Sequence, residues 1–113
     1  MTSVVFLKDR SSCFVGFTMK GHSGYADEGD DIVCAGLSSC CEMVLSQLID
    51  CFGYDVDVTI DQKTAAVGCD SRRCGTVKES RETISKIIDG FYRTVSDIEK
   101  QYPRFVKCSI TEV

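Results

Sequence analysis

The spacing of apolar residues changes period several times along the chain, and each change marks an element. Val4 to Leu7 is a short apolar run. From Cys13 to Lys20 apolar residues alternate, with Cys13, Val15, Phe17 and Met19 on one face and Asp9, Arg10 and Ser11 as turn residues between the two runs. This pattern predicts a β-hairpin. From Ile32 to about Cys51 the period becomes helical: Cys34, Leu37, Ser38, Cys41, Leu45, Leu48 and Phe52 share a stripe, and Glu42, Met43, Ser46 and Asp50 take the other side. Asp55 to Ile60 alternates again with Val56, Val58 and Ile60 inward, and a turn at Asp61 to Lys63 leads to a second strand, Thr64 to Cys69. After a loop over 70–77, Thr76-x-x-Glu79 reads as a capping box. It opens a long helix with Ile84, Ile87, Ile88, Phe91, Val95 and Ile98 on one face, which must end before Pro103. Phe105 to Thr111 reads as a last strand.

The resulting order, ββαββαβ, predicts an α/β chain of the α+β type: a two-layer sandwich with two main helices on a largely antiparallel sheet. No repeat or linker interrupts it, so residues 1–113 are expected to form a single domain.

Charge narrows the partners. A formal charge of -4 disfavours direct nucleic-acid binding, which needs a basic surface to displace counterions from phosphates. No uninterrupted run of eighteen apolar residues suggests a membrane span, and MTSVVFLKDR lacks the basic region of an export signal, so a cytoplasmic protein is expected. Eight cysteines (13, 34, 40, 41, 51, 69, 74 and 108) are then expected as reduced thiols. No C-x-x-C pair is present, and neither a metal nor another cofactor is expected. Cys13, Cys41, Cys51, Cys69 and Cys108 are assigned to the core.

Two residues stand apart as candidate chemistry. His22 is the single histidine and sits where a strand ends, between Gly21 and Gly24, so it is the natural proton-transfer group near neutral pH. Cys34 is expected in the first turn of a helix capped by Asp30 or Asp31, where free N–H groups favour a thiolate. The backbone amides of Cys34 and Ala35 would then form an oxyanion hole. Asp31 either orients His22 or only caps the helix, and Ser38 either bonds toward the site or back-bonds to the Cys34 carbonyl. Asp27, Glu28, Asp30 and Asp31 oppose a thiolate if they lie close.

The stretch GHSGYADEGDDIVCAGLSS, residues 21 to 39, closely resembles the signature of the ribosomal-processing cysteine proteases called Prp: Gly-His, a loop closing on Gly-x-Asp, then Ile-Val-Cys-Ala and a Ser four residues past the Cys. The resemblance implies a small α/β homodimer in which His22 is the general base and Cys34 the nucleophile. It further implies that Asp31 and Ser38 are supporting residues, with Gly21, Gly24 and Gly29 as hinges of a substrate-covering loop. The implied reaction removes a short N-terminal extension from a basic partner, large-subunit ribosomal protein number twenty-seven, after paired aromatic residues. Two other readings stand beside it: a non-catalytic ribosome-assembly or protein-binding module, and a thiol redox protein using Cys34 with Cys40 or Cys41.

Overall fold

The computed structural model describes residues 1–21 and 28–113, the stretch 28–31 by its backbone only. His22, Gly24 and Asp27 lie outside the described residues. Strands β1 (Thr2–Lys8) and β2 (Phe14–Lys20) form the first hairpin, and helix α1 (Glu28–Ser46) follows, closing in a π-helical turn, Gln47–Cys51. Strands β3 (Asp57–Asp61) and β4 (Ala66–Asp70) form the second hairpin. Helix α2 (Lys78–Gln101) and strand β5 (Val106–Glu112) complete the order ββαββαβ.

The five strands lie in the order β3-β4-β2-β1-β5. Three pairings are antiparallel and only β1 with β5 is parallel. Both helices cover one face of this sheet. Thr2, Val4 and Phe6 of β1 point into that layer, and Val4 and Phe6 pair with Met19 and Phe17 of β2. Aromatic rings bind α2 to the sheet: Phe91 meets Phe6 at 5.5 Å and Phe17 at 5.0 Å in edge-on geometry, and Tyr92 lies 5.3 Å from Phe14.

Several expectations are corrected by the packing. In β2 the alternation breaks at a bulge: Leu7 pairs with Gly16 but Lys8 with Phe14, so Phe14 rather than Cys13 joins Phe17 and Met19 on the inward face. Gly16 is required at this point, because a Cβ there would lie 2.2 Å from the Cys69 carbonyl oxygen. The predicted helix at Ile32 begins instead at Glu28, inside the acidic, glycine-rich segment. Its buried stripe is Val33, Leu37, Cys41, Val44 and Leu48. Phe52 leaves that stripe because the π-helical turn shifts the helical phase, and it stacks on Tyr54 at 5.6 Å with 54% of its surface exposed.

The capping box does not form, since Val77 is the N-cap of α2 and makes no side-chain cap. Cys51 is exposed and Cys13 half-buried, so neither is a core thiol. By length and composition Ile32–Cys51 is long and apolar enough to cross a bilayer, twenty residues at mean hydropathy 1.7. In this fold one side of it packs on the sheet, with Leu37 and Leu48 fully buried.

Candidate active site

The site is built where β2 ends. Asp61 begins the turn between β3 and β4, its carboxylate accepting from the amides of Lys63 and Thr64 at 2.9 and 3.4 Å. Ala65 closes the turn in the left-handed region at φ 53. That unusual conformation for an alanine turns its carbonyl to accept from the Gly21 amide at 2.9 Å, fixing the last described residue of the β2 end beside the turn. Cys34 of α1 sits against this junction, since a Cβ on Gly21 would lie 3.2 Å from the Cys34 Sγ and 3.5 Å from the Ala65 oxygen. Sequence reasoning named Gly21 and Cys34 but missed Ala65, whose backbone conformation leaves no mark in residue type.

The Cys34 thiol therefore lies beside the residue that precedes His22 in the chain, half-buried on the flank of α1. The acidic residues enter differently from expectation. Because α1 starts at Glu28, Cys34 is the seventh residue of the helix and not in its first turn. Asp30 and Asp31 are inside the helix and cannot be its N-cap, and Gly29 is helical as well. The amides of Cys34 and Ala35 fall beyond the first four of the helix, where carbonyls four residues earlier take them, so they do not make the expected oxyanion hole. Ser38 lies one turn after Cys34 and half-buried, while the neighbouring Ser39 hydroxyl donates back to the Ala35 carbonyl at 3.1 Å.

Burial sets the titration of four of the other thiols. Burial pushes the Cys41 thiol up to about 11, with Glu42 and Cys40 adding to it, and the Cys69 thiol up to about 12. Cys108 is raised to about 11 by burial and by the Glu99 carboxylate, and burial also raises Cys74. These four are protonated near neutral pH and act as small apolar side chains. All eight cysteines are free, and among the described residues no group of three or more His, Cys, Asp or Glu side chains could hold a metal ion.

The fold is thus an α+β sandwich with a free thiol on a helix, set against the end of a β-hairpin. The chain belongs to the cysteine protease Prp family, whose model matches residues 1–107. Its fold is similar to the crystal structure of SMU.848 from Streptococcus mutans, with a TM-score of 0.86 at 19% identity, covering 100% of this chain and 99% of that one. It is also similar to the essential ribosomal processing protease Prp from S. aureus in complex with a substrate peptide, with a TM-score of 0.84 at 19% identity, over 98% of this chain and 100% of that one. The same S. aureus protease with a covalently linked product peptide gives a TM-score of 0.80 at 20% identity, over 98% of this chain and 100% of that one. Comparison with curated proteins returns no match.

Proposed function

We propose that this chain is a cysteine endopeptidase that removes the N-terminal extension of large-subunit ribosomal protein number twenty-seven after paired aromatic residues, a step in ribosome assembly. The observation that carries the reading is the Cys34 thiol held against Gly21, in a chain whose family is cysteine protease Prp. His22 follows Gly21 directly in the chain and is the base in this reading. His22 takes the Cys34 proton, the thiolate attacks the scissile carbonyl carbon, and the imidazolium returns the proton to the leaving amine. Water then hydrolyses the thioester, with His22 as base. Asp31 and Ser38 support this pair, Gly24 is a hinge of the loop over the substrate, and no cofactor takes part.

The substrate in this proposal is a basic protein. Asp27, Glu28, Asp30 and Asp31, four carboxylates within five residues, attract it electrostatically. If cleavage were insensitive to ionic strength and to neutralising Asp27 and Glu28, that steering role would be lost. The enzyme works in the bacterial cytoplasm as a homodimer. In support, α1 carries exposed Ile32 and Met43, and the π-helical turn after it carries exposed Ile49.

The test is a peptide bearing such an extension. Wild type should cut after the aromatic pair, and Cys34→Ala should bind the peptide without turnover. Equal cleavage by Cys34→Ala overturns Cys34 as the nucleophile, and no cleavage by wild type overturns the proposal and leaves the non-catalytic binding module.

A further inference from the structure

Strand β3 carries an anomaly. Its register places Val58 opposite Cys69 and Ile60 opposite Val67, on the side of the sheet that the helices cover, because Cys69 and Val67 are themselves aligned with the inward Phe17 and Met19. An isoleucine on the core side of a sheet should be buried. Ile60 is 70% exposed, and Val58 and Val67 are only half-buried. The polar residues of the same strand, Asp57, Thr59 and Asp61, face the other way, so the strand has the alternation of a covered strand without the cover among the described residues.

Among the described residues the helix layer stops one strand short. Helix α1 comes near β4 at two points: Cys34 lies by Ala65, just before that strand, and the Cys41 thiol is an electrostatic neighbour of Cys69 within it. Ile60 pairs with Val67, which lies between Ala65 and Cys69 on β4, and so stands one strand beyond these two points. Cys34, Ser38 and Leu45 occupy the α1 flank that faces this bare strip, each only partly buried.

A second apolar groove, lined by Ile32, Gly36, Ile98, Tyr102 and Phe105, lies on the opposite flank between α1 and α2. Cys34 points about 160° around the helix axis from Ile32 and Gly36, two residues away at about 100° each. That groove cannot present a substrate carbonyl to the sulfur, whereas the β3–β4 strip lies on the sulfur's own side.

Resting on the reading of Cys34 as the nucleophile, we propose that the helix-facing side of β3 and β4 is the substrate shelf, and that Ile60, with Val58 and Val67, is a specificity-determining surface. An extended peptide attacked by Cys34 lays a large apolar or aromatic side chain next to its scissile bond on this shelf, covering the isoleucine that the fold leaves open.

The experiment compares two peptides, one with an aromatic pair before the cut and one with that pair replaced by alanine, on wild type, Ile60→Asp and Ile60→Val. Ile60→Asp should lower kcat/KM for the aromatic peptide by about tenfold or more and shrink the aromatic-to-alanine preference, while Ile60→Val retains most of both. The rate of Cys34 alkylation by iodoacetamide, followed by peptide mapping, should be unchanged, which separates the shelf from damage to the nucleophile. Ile60→Thr, which keeps the β-branch, takes the place of Ile60→Asp if the latter does not fold. An unchanged preference in the folded variant overturns the shelf while leaving the protease reading intact. No cleavage of either peptide by wild type overturns both.

Discussion

Gly21 is the residue on which the candidate site turns. A Cβ at this position would lie 3.2 Å from the Cys34 sulfur, close enough to crowd it by a few tenths of an ångström from a backbone already tied to Ala65. Gly21→Ala should therefore displace the thiol and lower kcat by up to about 100-fold, with the melting temperature nearly unchanged. Unaltered kinetics in that variant would mean that the sulfur moves freely and that the contact is incidental. The buried thiols make a separate prediction. Cys41 and Cys69 keep their protons to about 11 and about 12 in the folded protein, whereas an unfolded thiol loses its proton near 8.5. Between those values the unfolded state binds fewer protons than the native state, so stability falls as pH rises. The urea midpoint should drop between pH 8 and pH 10.5, and Cys69→Ala should shallow the slope. A slope unaffected by that change would place the proton loss elsewhere.

At the scale of elements, the first turn of α2 shows how a local motif yields to packing. Thr76-x-x-Glu79 has the composition of a capping box, yet the helix starts one residue later with extended Val77 as its cap (φ -93, ψ 139) and no side-chain cap bond. The loop before it is held by other bonds. The buried Ser71 hydroxyl donates to the Val15 carbonyl at 2.7 Å, and the Gly75 amide donates to the Ser71 carbonyl at 2.7 Å. These anchors set where the helix begins. Thr76→Ala should then cost less than about 0.5 kcal/mol, while Val77→Asp should stabilise by about 1 kcal/mol in urea unfolding, because it supplies the missing acceptor. A loss near 1 kcal/mol for Thr76→Ala would show the box to be formed in solution. Strand β5 illustrates the same priority of context. It is an edge strand, and the Glu99 carboxylate of α2 accepts from its Cys108 amide at 2.7 Å, which occupies part of an edge that would otherwise invite another strand.

At the scale of the whole molecule, the sheet is asymmetric in its cover. Helix α2 packs on β2 and β5 and sets its rings against Phe6 of β1, while α1 reaches β1 and the Ala65 turn, which among the described residues leaves Ile60 of β3 exposed and α1 partly bare on its outer flank. The two bare surfaces are assigned to different occupants: the shelf to substrate, and the outward flank of α1 to the second copy of the proposed homodimer. Met43→Asp, at a position 58% exposed, should shift the sedimentation coefficient from dimer toward monomer without unfolding the chain. Identical sedimentation of wild type and variant would remove this flank from the interface.

The sequence alone determined the element types and their order, because period-2 and period-3.6 patterns are set by backbone geometry and survive in one dimension. It also determined the two candidate groups, His22 and Cys34, because one histidine and one cysteine lie within a single short signature. Tertiary structure decided the strand order, the parallel placement of β5 beside β1, and the β2 bulge that exchanges Cys13 for Phe14. These depend on contacts between residues far apart in the chain. It also decided that Cys34 stands in a second turn rather than a first, and that its sulfur meets Gly21 beside the left-handed Ala65. Helix ends and turn conformations are free-energy differences of about 1 kcal/mol, small enough for long-range packing to override what local residues prefer.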